Sequence, residues 1–380
     1  MPRPAARDAG GTAAAASDAG PASGLYLHAA SRCGDCHDKM FGEWQASAHA
    51  RSARSFAFAA MRAAAPDAAG CDVCHRPLAR YAAPTSVSDD GVTCDVCHTL
   101  RAVAAGAPSP RFELEVTQPV KYGPFCQLDD HYFHRMGCSP LHRKSQLCSA
   151  CHQLEIQPPG GGAAVPVYTT WSEWQATGYA RDGVECQDCH MPATRAAIAE
   201  GAAVTRRVGD HRLATTGRSA YALEARGRIA PEQGDAIVVM VEVSNRGAGH
   251  YLPTGSPDRR LVLRVLALDP GGRELERAET SFGRGLLDAA GNPAPRGRAV
   301  RAGEDTRIPP GGSSRRELTL RAAAPEGRVR VELARRALDP AIAGALGVQP
   351  PADQVVLTAE LPYRAAHRAG DLARRVRGRP

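Results

Sequence analysis

Large apolar side chains are scarce in this chain. Aromatic residues make up only 5% of its 380 residues, and much of the 43% hydrophobic content is alanine. The first half in particular has few bulky side chains with which to fill a core. We therefore expect a large bound group to fill part of the interior of that half.

Long hydrophobic runs are also absent. No apolar stretch approaches the roughly eighteen residues of a membrane span, so we expect no integral membrane segment. Residues 1–24 are rich in Ala, Gly and Ser, and they lack the apolar stretch of an export signal. We interpret residues 1–30 as a flexible leader whose signal is absent or was trimmed.

Cysteine, in contrast, follows a strict pattern. The sequence C-x-x-C-H occurs five times, at Cys33-Gly-Asp-Cys36-His37, Cys71-Asp-Val-Cys74-His75, Cys94-Asp-Val-Cys97-His98, Cys148-Ser-Ala-Cys151-His152 and Cys186-Gln-Asp-Cys189-His190. In this pattern two thiols add to the two vinyl groups of one porphyrin, and the histidine becomes the proximal iron ligand of a c-type haem. A zinc ribbon, the alternative use of C-x-x-C pairs, needs four ligands per metal and no histidine after every pair.

The motifs therefore predict five covalently bound haem c groups. The attachment residues are Cys33, Cys36, Cys71, Cys74, Cys94, Cys97, Cys148, Cys151, Cys186 and Cys189, and the proximal iron ligands are His37, His75, His98, His152 and His190. Haem of this type is attached after export, in an oxidising compartment, so we expect a periplasmic or extracellular protein.

Two of the twelve cysteines, Cys126 and Cys138, lie outside the motifs. A disulfide between them is the economical interpretation, because the intervening stretch is rich in loop-forming residues. A sixth haem site that uses Cys138 and His142 is the alternative, although it lacks the C-x-x-C-H spacing.

The chain divides into a half that contains every cysteine and a half that contains none. The pattern of the first half predicts short helices that carry the motifs. In the second half, Ile237, Val239, Val241 and Val243 alternate with other residues as on one face of a strand, and turn residues separate several further alternating segments. These segments are 261–268, 317–321, 329–333 and 355–361, with a short helix over 340–346 before the last one.

We therefore predict an N-terminal, mostly α-helical or irregular multihaem cytochrome c domain and a C-terminal antiparallel β-sandwich of the immunoglobulin-like kind. The expected limits are 31–214 for the haem domain, 215–365 for the sandwich and 366–380 for a basic tail. The tail is interpreted either as a solvated terminus or as a docking patch for an acidic partner.

A nine-residue segment occurs twice. Residues 43–51, Glu-Trp-Gln-Ala-Ser-Ala-His-Ala-Arg, are echoed by residues 173–181, Glu-Trp-Gln-Ala-Thr-Gly-Tyr-Ala-Arg. The second copy leads directly into Gly183-Val184-Glu185-Cys186, and a related Gly91-Val92-Thr93-Cys94 precedes the third motif. No fixed period recurs, so we interpret the echo as a reused packing unit, a helix that places tryptophan against a haem.

Eight histidines outside the motifs are candidates for the second axial position of the irons. They are His28, His49, His131, His134, His142, His211, His250 and His367. Ligation by two histidines keeps the iron low-spin with little structural change on reduction, which suits electron transfer. His49 follows the first copy of the echo, where the second copy has Tyr179. His250 lies in a loop of glycines and proline after a strand, which either reaches a haem or forms a hairpin tip.

These motifs resemble the multihaem cytochromes c related to the nitrification tetrahaem cytochrome and to hydroxylamine oxidoreductase. The resemblance covers residues 31–215 and rests on Cys33-Gly-Asp-Cys-His followed by Trp44-Gln-Ala-Ser-Ala-His49, on Gly91-Val-Thr-Cys-Asp-Val-Cys-His98 and on Gly183-Val-Glu-Cys-Gln-Asp-Cys-His-Met-Pro192. It implies that His49 and His134 are distal ligands, and it adds His211 and His250 as further ones. No motif histidine is replaced by lysine, and the motifs are too few for the hydroxylamine oxidoreductase pattern, so neither catalytic signature is carried over.

The function predicted from these residues is the transfer of single electrons along a chain of mostly bis-histidine haems. The net charge of +7 falls toward neutrality when about ten haem propionates are counted, so we expect no nucleic acid partner. Expected partners are quinol-linked proteins or other cytochromes, with association to the membrane or envelope as an option.

Two other functions remain open at this stage. In the first, the protein is an oxidoreductase that acts on a small nitrogen or sulfur compound at one five-coordinate haem, with His28, His142 or Tyr179 as proton donor. The fifth distal ligand, if there is one, is His28, His131 or His142.

In the second of these other functions, the protein is a structural subunit of a haem assembly.

Mass spectrometry checks the central prediction. Protein matured in a periplasm competent for haem attachment should exceed the mass of the polypeptide by five haem groups, because each motif forms two thioether bonds. Replacing Cys186 and Cys189 together by alanine should remove one haem. An unmodified polypeptide would contradict the haem prediction altogether.

Overall fold

Short helices carry the cysteine motifs in the first half of the molecule. The computed structural model describes residues 24–81, 86–104, 112–158, 160–213, 220–230, 236–321, 326–364 and 371–377. The helices of the first half are α1 (Ala30–Gly34), α2 (Asp38–Gln45), α3 (Phe56–Ala63), α4 (Ala68–His75), α5 (Ser86–Asp89), α6 (Cys94–His98), α7 (Gln146–His152), α8 (Thr170–Gln175), α9 (Gly178–Arg181) and α10 (Cys186–His190).

The spacing within each motif matches the helix. Residues at i, i+3 and i+4 share one helical face, so a single turn presents both cysteines and the histidine on the same side. Helices α4, α6, α7 and α10 each end at the histidine of their motif. In the first motif α1 ends at Gly34, yet the N–H of His37 donates to the carbonyl oxygen of Cys33 at 2.9 Å and continues the turn. The expectation of short motif-bearing helices is confirmed.

Two-stranded ladders connect these helices. They are β1 (Leu100–Val103) with β2 (Phe112–Leu114), β3 (Val120–Gly123) with β4 (Arg135–Cys138), β5 (Leu154–Ile156) with β6 (Val165–Tyr168) and β7 (Ala193–Ala197) with β8 (Thr205–Gly209). Cys126 and Cys138 form the expected disulfide, which removes Cys138 from the suggested sixth haem site. One of the small apolar clusters in this half has only Leu100, Val103 and Ala150 as fully buried members.

Two four-stranded antiparallel sheets make up the second half. Their strands, together with the short pair β13 and β14, are β9 (Tyr221–Ala230), β10 (Ala236–Asn245), β11 (Arg260–Leu268), β12 (Glu274–Phe282), β13 (Leu286–Leu287), β14 (Arg301–Ala302), β15 (Ser313–Leu320), β16 (Glu326–Arg336), β17 (Gln354–Arg364) and β18 (Asp371–Arg377). One sheet has the order β15-β10-β9-β18, and the other has the order β12-β11-β16-β17. Helix α11 (Pro340–Leu346) precedes β17 and coincides with the predicted helix.

The two sheets share one apolar core. Ile237, Val239, Val241 and Val243 are fully buried in the same cluster as residues of β11, β16 and β17, as the alternation in the sequence predicts. This core contains no residue of a C-x-x-C-H motif, so it forms from the polypeptide alone.

Three strands of these sheets were not predicted. Strand β12, Glu-Leu-Glu-Arg-Ala-Glu-Thr-Ser-Phe, lies at the edge of its sheet, where charged residues are tolerated and hide the alternation. Strand β9 has a comparable mixture of charged and small residues. Strand β18 lies within the segment that the sequence analysis set apart as a basic tail, and it pairs with β9. The domain limits stay predictions.

The two halves pack against each other. Leu154, Val165 and Val167 from the first half form one buried cluster with Leu286 and Ala299 from the second. Across the same region the guanidinium of Arg284 donates to the carbonyl oxygen of Pro166 at 3.1 Å. Among the helices that the structure describes, none has the length and apolar character needed to cross a membrane.

Truncation of the sheet core should destabilise the second half without touching the haem motifs. Leu263→Ala deletes a fully buried side chain of the shared core, so the free energy of unfolding should fall by about 2–5 kcal/mol. Met240→Ala on the exposed side of β10 is the matched control and should change it by less than about 0.5 kcal/mol. Urea unfolding followed by far-ultraviolet circular dichroism measures both values, and an equal loss in both variants would contradict this assignment of the core.

Candidate haem sites

Four of the five motif histidines face a histidine from a distant part of the chain. The ring centroids are 6.4 Å apart for His37 and His134, 6.4 Å for His49 and His152, 6.4 Å for His98 and His211, and 6.2 Å for His190 and His250. Each pair joins one proximal ligand to one of the four predicted distal ligands.

The spacing of these pairs fits an iron atom between the rings. A metal lies about 2.0 Å from each ligating imidazole nitrogen, which itself lies about 1.2 Å from its ring centroid, so roughly 6.4 Å separates two centroids across one iron. Imidazoles in direct contact would approach more closely, as His98 and His142 do at 5.6 Å. The four pairs are therefore compatible with bis-histidine ligation.

Hydrogen bonds to the far side of several rings orient them for this role. The Nδ1 atom of His98 lies 2.7 Å from the carbonyl oxygen of Tyr122, and that of His250 lies 2.9 Å from the carbonyl oxygen of Tyr251. His37 makes the corresponding contact to the carbonyl oxygen of Ile198. When Nδ1–H donates to a carbonyl group, the lone pair of Nε2 is left for a metal.

Burial favours the neutral form of these rings. It lowers the pKa of His98 and that of His152 to about 3, and it also lowers the pKa values of His49 and His250. Neutral imidazole is the form that ligates metals, so the environment supports ligation at ordinary pH.

His75 is the exception. Its ring stacks on Phe58 with centroids 4.5 Å apart, which leaves no room for an iron between them, and Nδ1 lies 3.3 Å from the carbonyl oxygen of Ser52. In the part of the chain that the structure describes, no histidine ring is paired with His75. His367 lies outside the described residues.

The three candidates for a fifth distal ligand lie elsewhere. His142 is beside His98, and its Nε2 is engaged with the carbonyl oxygen of Cys97 at 3.0 Å. His131 is exposed next to His134. The backbone N–H of His28 donates to Asp95 at 2.7 Å, near the third motif.

Two arginines of the second half, Arg259 and Arg296, lie close to His75, and Asp72 of the same motif acts on it with the opposite sign. Arg296 and Arg259 both act electrostatically on His75, and the guanidinium of Arg296 lies 3.4 Å from the sulfur of Cys71 in the same motif. The half-buried Tyr168 is close to both arginines, and desolvation raises its pKa to about 12. Tyr179, considered above as a proton donor, lies instead against Gly249 beside His250.

Cysteines of different motifs approach one another. The side chain of Cys33 lies close to that of Cys94, as do those of Cys74 to Cys151 and of Cys148 to Cys186. Within the described ranges no group of three or more His, Cys, Asp or Glu side chains is arranged to hold a metal ion.

Asn245 holds the His250 loop, a role that sequence reasoning missed. This side chain is 1% exposed; its amide nitrogen donates to the carbonyl oxygen of His250 at 2.8 Å, and its oxygen accepts from the N–H of Ala248 at 3.1 Å. A lone asparagine at the end of a strand is too common a feature to signal such a role. The loop therefore presents His250 to His190 instead of forming a free hairpin tip.

Comparisons with known proteins show what this chain is similar to. The sequence profile of the family described as cytochrome c554 and c-prime matches residues 32–99, which contain the first three motifs. The crystal structure of a penta-haem cytochrome c552 from Thermochromatium tepidum is 23% identical and has a TM-score of 0.69, with 89% of this chain and 99% of that chain covered. The chain therefore has the fold of that structure, and the two matches support the prediction of covalently bound haem c.

Other comparisons add nothing to the argument. A structure described as the putative ApaA protein from Bordetella pertussis is 14% identical over 37% of this chain and 90% of that chain, with a TM-score of only 0.20. No curated protein sequence matches this chain.

Replacement of a predicted distal histidine should leave one iron without its second histidine ligand. In the holoprotein, His134→Ala, His49→Ala, His211→Ala and His250→Ala should each convert about one haem in five from low-spin to high-spin, because each removes one axial ligand. Electron paramagnetic resonance of the oxidised protein measures the conversion. His142→Ala is the matched control and should convert none; conversion of a haem by this variant would contradict the pairing of His98 with His211.

Proposed function

We propose that this chain is a pentahaem c-type cytochrome that transfers single electrons along a series of mostly bis-histidine haems. The observation that carries the proposal is the set of four facing histidine pairs, each spaced for one iron. The fold shared with a structure whose title names a penta-haem cytochrome supports the count of five, as do the five motifs.

The residues of the chain would act by holding both axial ligands in place. Each bound haem would supply one reversible exchange of an electron between ferric and ferrous iron. Rings fixed by backbone carbonyl groups, such as those of His98 and His250, keep the same ligands in both oxidation states. A ligand set that does not rearrange lets an electron move without slow structural change.

Contacts between motifs support a connected path. Cys33 of the first motif meets Cys94 of the third, while Cys151 and Cys148 of the fourth motif meet Cys74 of the second and Cys186 of the fifth. Leu100, which lies two residues after the third motif, packs in one apolar cluster with Ala150 of the fourth motif, so the third motif is close to the fourth. The path runs from the first motif through the third to the fourth, where it branches to the second and the fifth.

The proposed location is periplasmic or otherwise extracytoplasmic. Covalent attachment of haem in an oxidising compartment and the Cys126–Cys138 disulfide are both compatible with it. Redox proteins, either quinol-linked or other cytochromes, are the proposed partners, and anaerobic respiration is the proposed setting. The two C-terminal sheets would form an immunoglobulin-like sandwich that supplies His250 and a surface for association with the envelope.

A second candidate function rests on His75. In the described part of the chain no histidine faces it, while Arg259 and Arg296 bring positive charge close to it. A haem held by His75 would lie close to two guanidinium groups, which suit a small anionic nitrogen or sulfur compound as substrate, and the Tyr168 hydroxyl would be a nearby hydrogen-bond donor.

Counting electrons separates the two functions. Holoprotein reduced at all five haems should deliver five electrons to an excess of an oxidised small cytochrome whose α-band is spectrally distinct, as measured by the rise of the acceptor's ferrous α-band in a stopped-flow instrument. The reduced protein should bind about one carbon monoxide per chain, at the haem of His75. Rapid reoxidation by nitrite, hydroxylamine or a sulfur oxyanion, without comparable transfer to the cytochrome, would move the conclusion to the enzyme.

A further inference from the structure

The two copies of the repeated segment make the same set of contacts. Trp44 lies in α2 and Trp174 lies in α8. The indole N–H of Trp44 donates to the carbonyl oxygen of Val92 at 2.8 Å, and that of Trp174 donates to the carbonyl oxygen of Val184 at 2.9 Å. Each valine stands two residues before the first cysteine of a motif, so each tryptophan holds the segment that leads into a proximal ligand.

A second hydrogen bond fixes the same segments. The N–H of Val92 donates to the carbonyl oxygen of His49 at 3.2 Å, and the N–H of Val184 donates to the carbonyl oxygen of Tyr179 at 2.9 Å. His49 and Tyr179 occupy equivalent positions of the two copies. The glycines before the valines, Gly91 and Gly183, have positive φ angles of 77° and 73°, a conformation that favours glycine.

The glutamate before each tryptophan holds the opposite side of a site. An oxygen of Glu43 accepts the backbone N–H of His211 at 3.0 Å. An oxygen of Glu173 accepts the backbone N–H of Tyr251, the residue after His250, at 3.1 Å, and also the hydroxyl of Thr254 at 2.8 Å. Both contacts are made by the Oε2 atom.

Both contacts of each copy converge on one haem site. In the first copy Trp44 holds the segment before the motif of His98, and Glu43 holds His211, the histidine that faces His98. In the second copy Trp174 holds the segment before the motif of His190. Glu173 there holds the loop of His250, the histidine that faces His190. Tryptophan and target valine are 48 residues apart in the first copy and 10 in the second, so chain connectivity does not explain the match.

The other carboxylate oxygen meets a cation in both copies. Glu43 pairs with Lys39 on its own helix, and Glu173 pairs with Arg307 from the second half of the chain. Burial alone would raise the pKa of Glu173, but Arg307 and the hydroxyl groups of Thr169 and Thr254 keep it lowered. Hydrogen bonds to an ionised acceptor are stronger than those to a neutral one, so the Glu173 carboxylate is suited to hold a backbone N–H firmly.

We propose that the repeated Glu-Trp pair is a two-sided clamp, in which tryptophan positions the proximal motif and glutamate positions the distal histidine of the same haem. Glu43 is then a positioning residue for His211, and Glu173 for His250. This inference rests on the proposed function, because it requires His211 and His250 to be iron ligands. It extends that function by naming what sets the strength of two axial bonds.

Competition with carbon monoxide tests the clamp at Glu43. Loss of a charge-assisted hydrogen bond to the His211 segment should weaken distal ligation, so Glu43→Ala should bind a second carbon monoxide per reduced chain about 10- to 100-fold more tightly than the unchanged holoprotein. Glu43→Gln retains an uncharged acceptor oxygen in the same place, so its affinity for the second carbon monoxide should lie between those of Glu43→Ala and the unchanged holoprotein. Glu113→Ala, an exposed glutamate on β2, is the control and should leave carbon monoxide binding unchanged.

A pair of double variants assigns the effect to one haem. If Glu43 acts through His211, then Glu43→Ala combined with His211→Ala should bind no more carbon monoxide per reduced chain than His211→Ala alone. Glu173→Ala combined with His211→Ala should make one additional site more accessible, because it weakens the ligation of a different haem. Glu173→Gln serves as the second variant at that position if loss of the partner of Arg307 prevents folding.

The outcomes separate failure of the clamp from failure of the ligand assignment. If His211→Ala opens no site for carbon monoxide, His211 is not a ligand and the proposed bis-histidine chain fails at that haem. If His211→Ala opens a site but Glu43→Ala binds carbon monoxide as the unchanged protein does, the clamp is overturned alone. The clamp would also be overturned if the changes at residues 43 and 211 each made a separate haem accessible to carbon monoxide, so that their effects added in the double variant.

Discussion

The spacing between facing imidazoles is the constraint on which this structure depends. An iron that is bound on both sides fixes two rings at one separation, and in all four pairs the two histidines come from segments that are far apart in the sequence. Because the first half has few large apolar side chains, the proposed axial links and the macrocycles between them would replace much of the core that such a domain otherwise needs. Folding of this half would then be coupled to attachment of the cofactor, whereas the sheets of the second half have a core of their own.

The repeated Glu-Trp unit makes the same contacts around two of these histidine pairs. The predicted distal histidine lies far in the sequence from the motif that it faces, so a contact between the two segments helps to fix its position. A glutamate on a helix next to the proximal motif can provide this contact. The same helical turn carries the carboxylate and the tryptophan, whose indole N–H is hydrogen bonded to the segment before the motif. The second copy extends the principle across the two halves, since Arg307 and His250 both come from the C-terminal part.

The haem-binding motifs and several helices and strands could be predicted from the sequence, whereas the pairing of histidines in the folded protein could not. The C-x-x-C-H motifs and the helix over 340–346 depend on residues close together in the chain, and the structure has helical turns at each of them. The buried face of Ile237 and Val239 follows from strict alternation, while strand β12 escaped because an edge strand tolerates charge. Which histidine faces which motif depends on the fold of the whole half, so four distal residues were named without their partners. Glu43 and Glu173 are identical positions of the repeated segment, but their hydrogen-bond partners could be identified only from the structure.

The second half affects two sites in opposite ways. It closes the site of His190 with His250, and it places Arg259 and Arg296 close to His75. Positive charge near a redox centre favours the reduced form, because the added electron is attracted to the guanidinium groups. Arg259 is exposed and partly screened by solvent, so the half-buried Arg296 beside Cys71 has the larger effect. An electron that enters the proposed network would then tend to reside at the second motif, at the end of a branch. This bias is useful whether that motif passes the electron to a partner protein or holds it for a small molecule at an open iron.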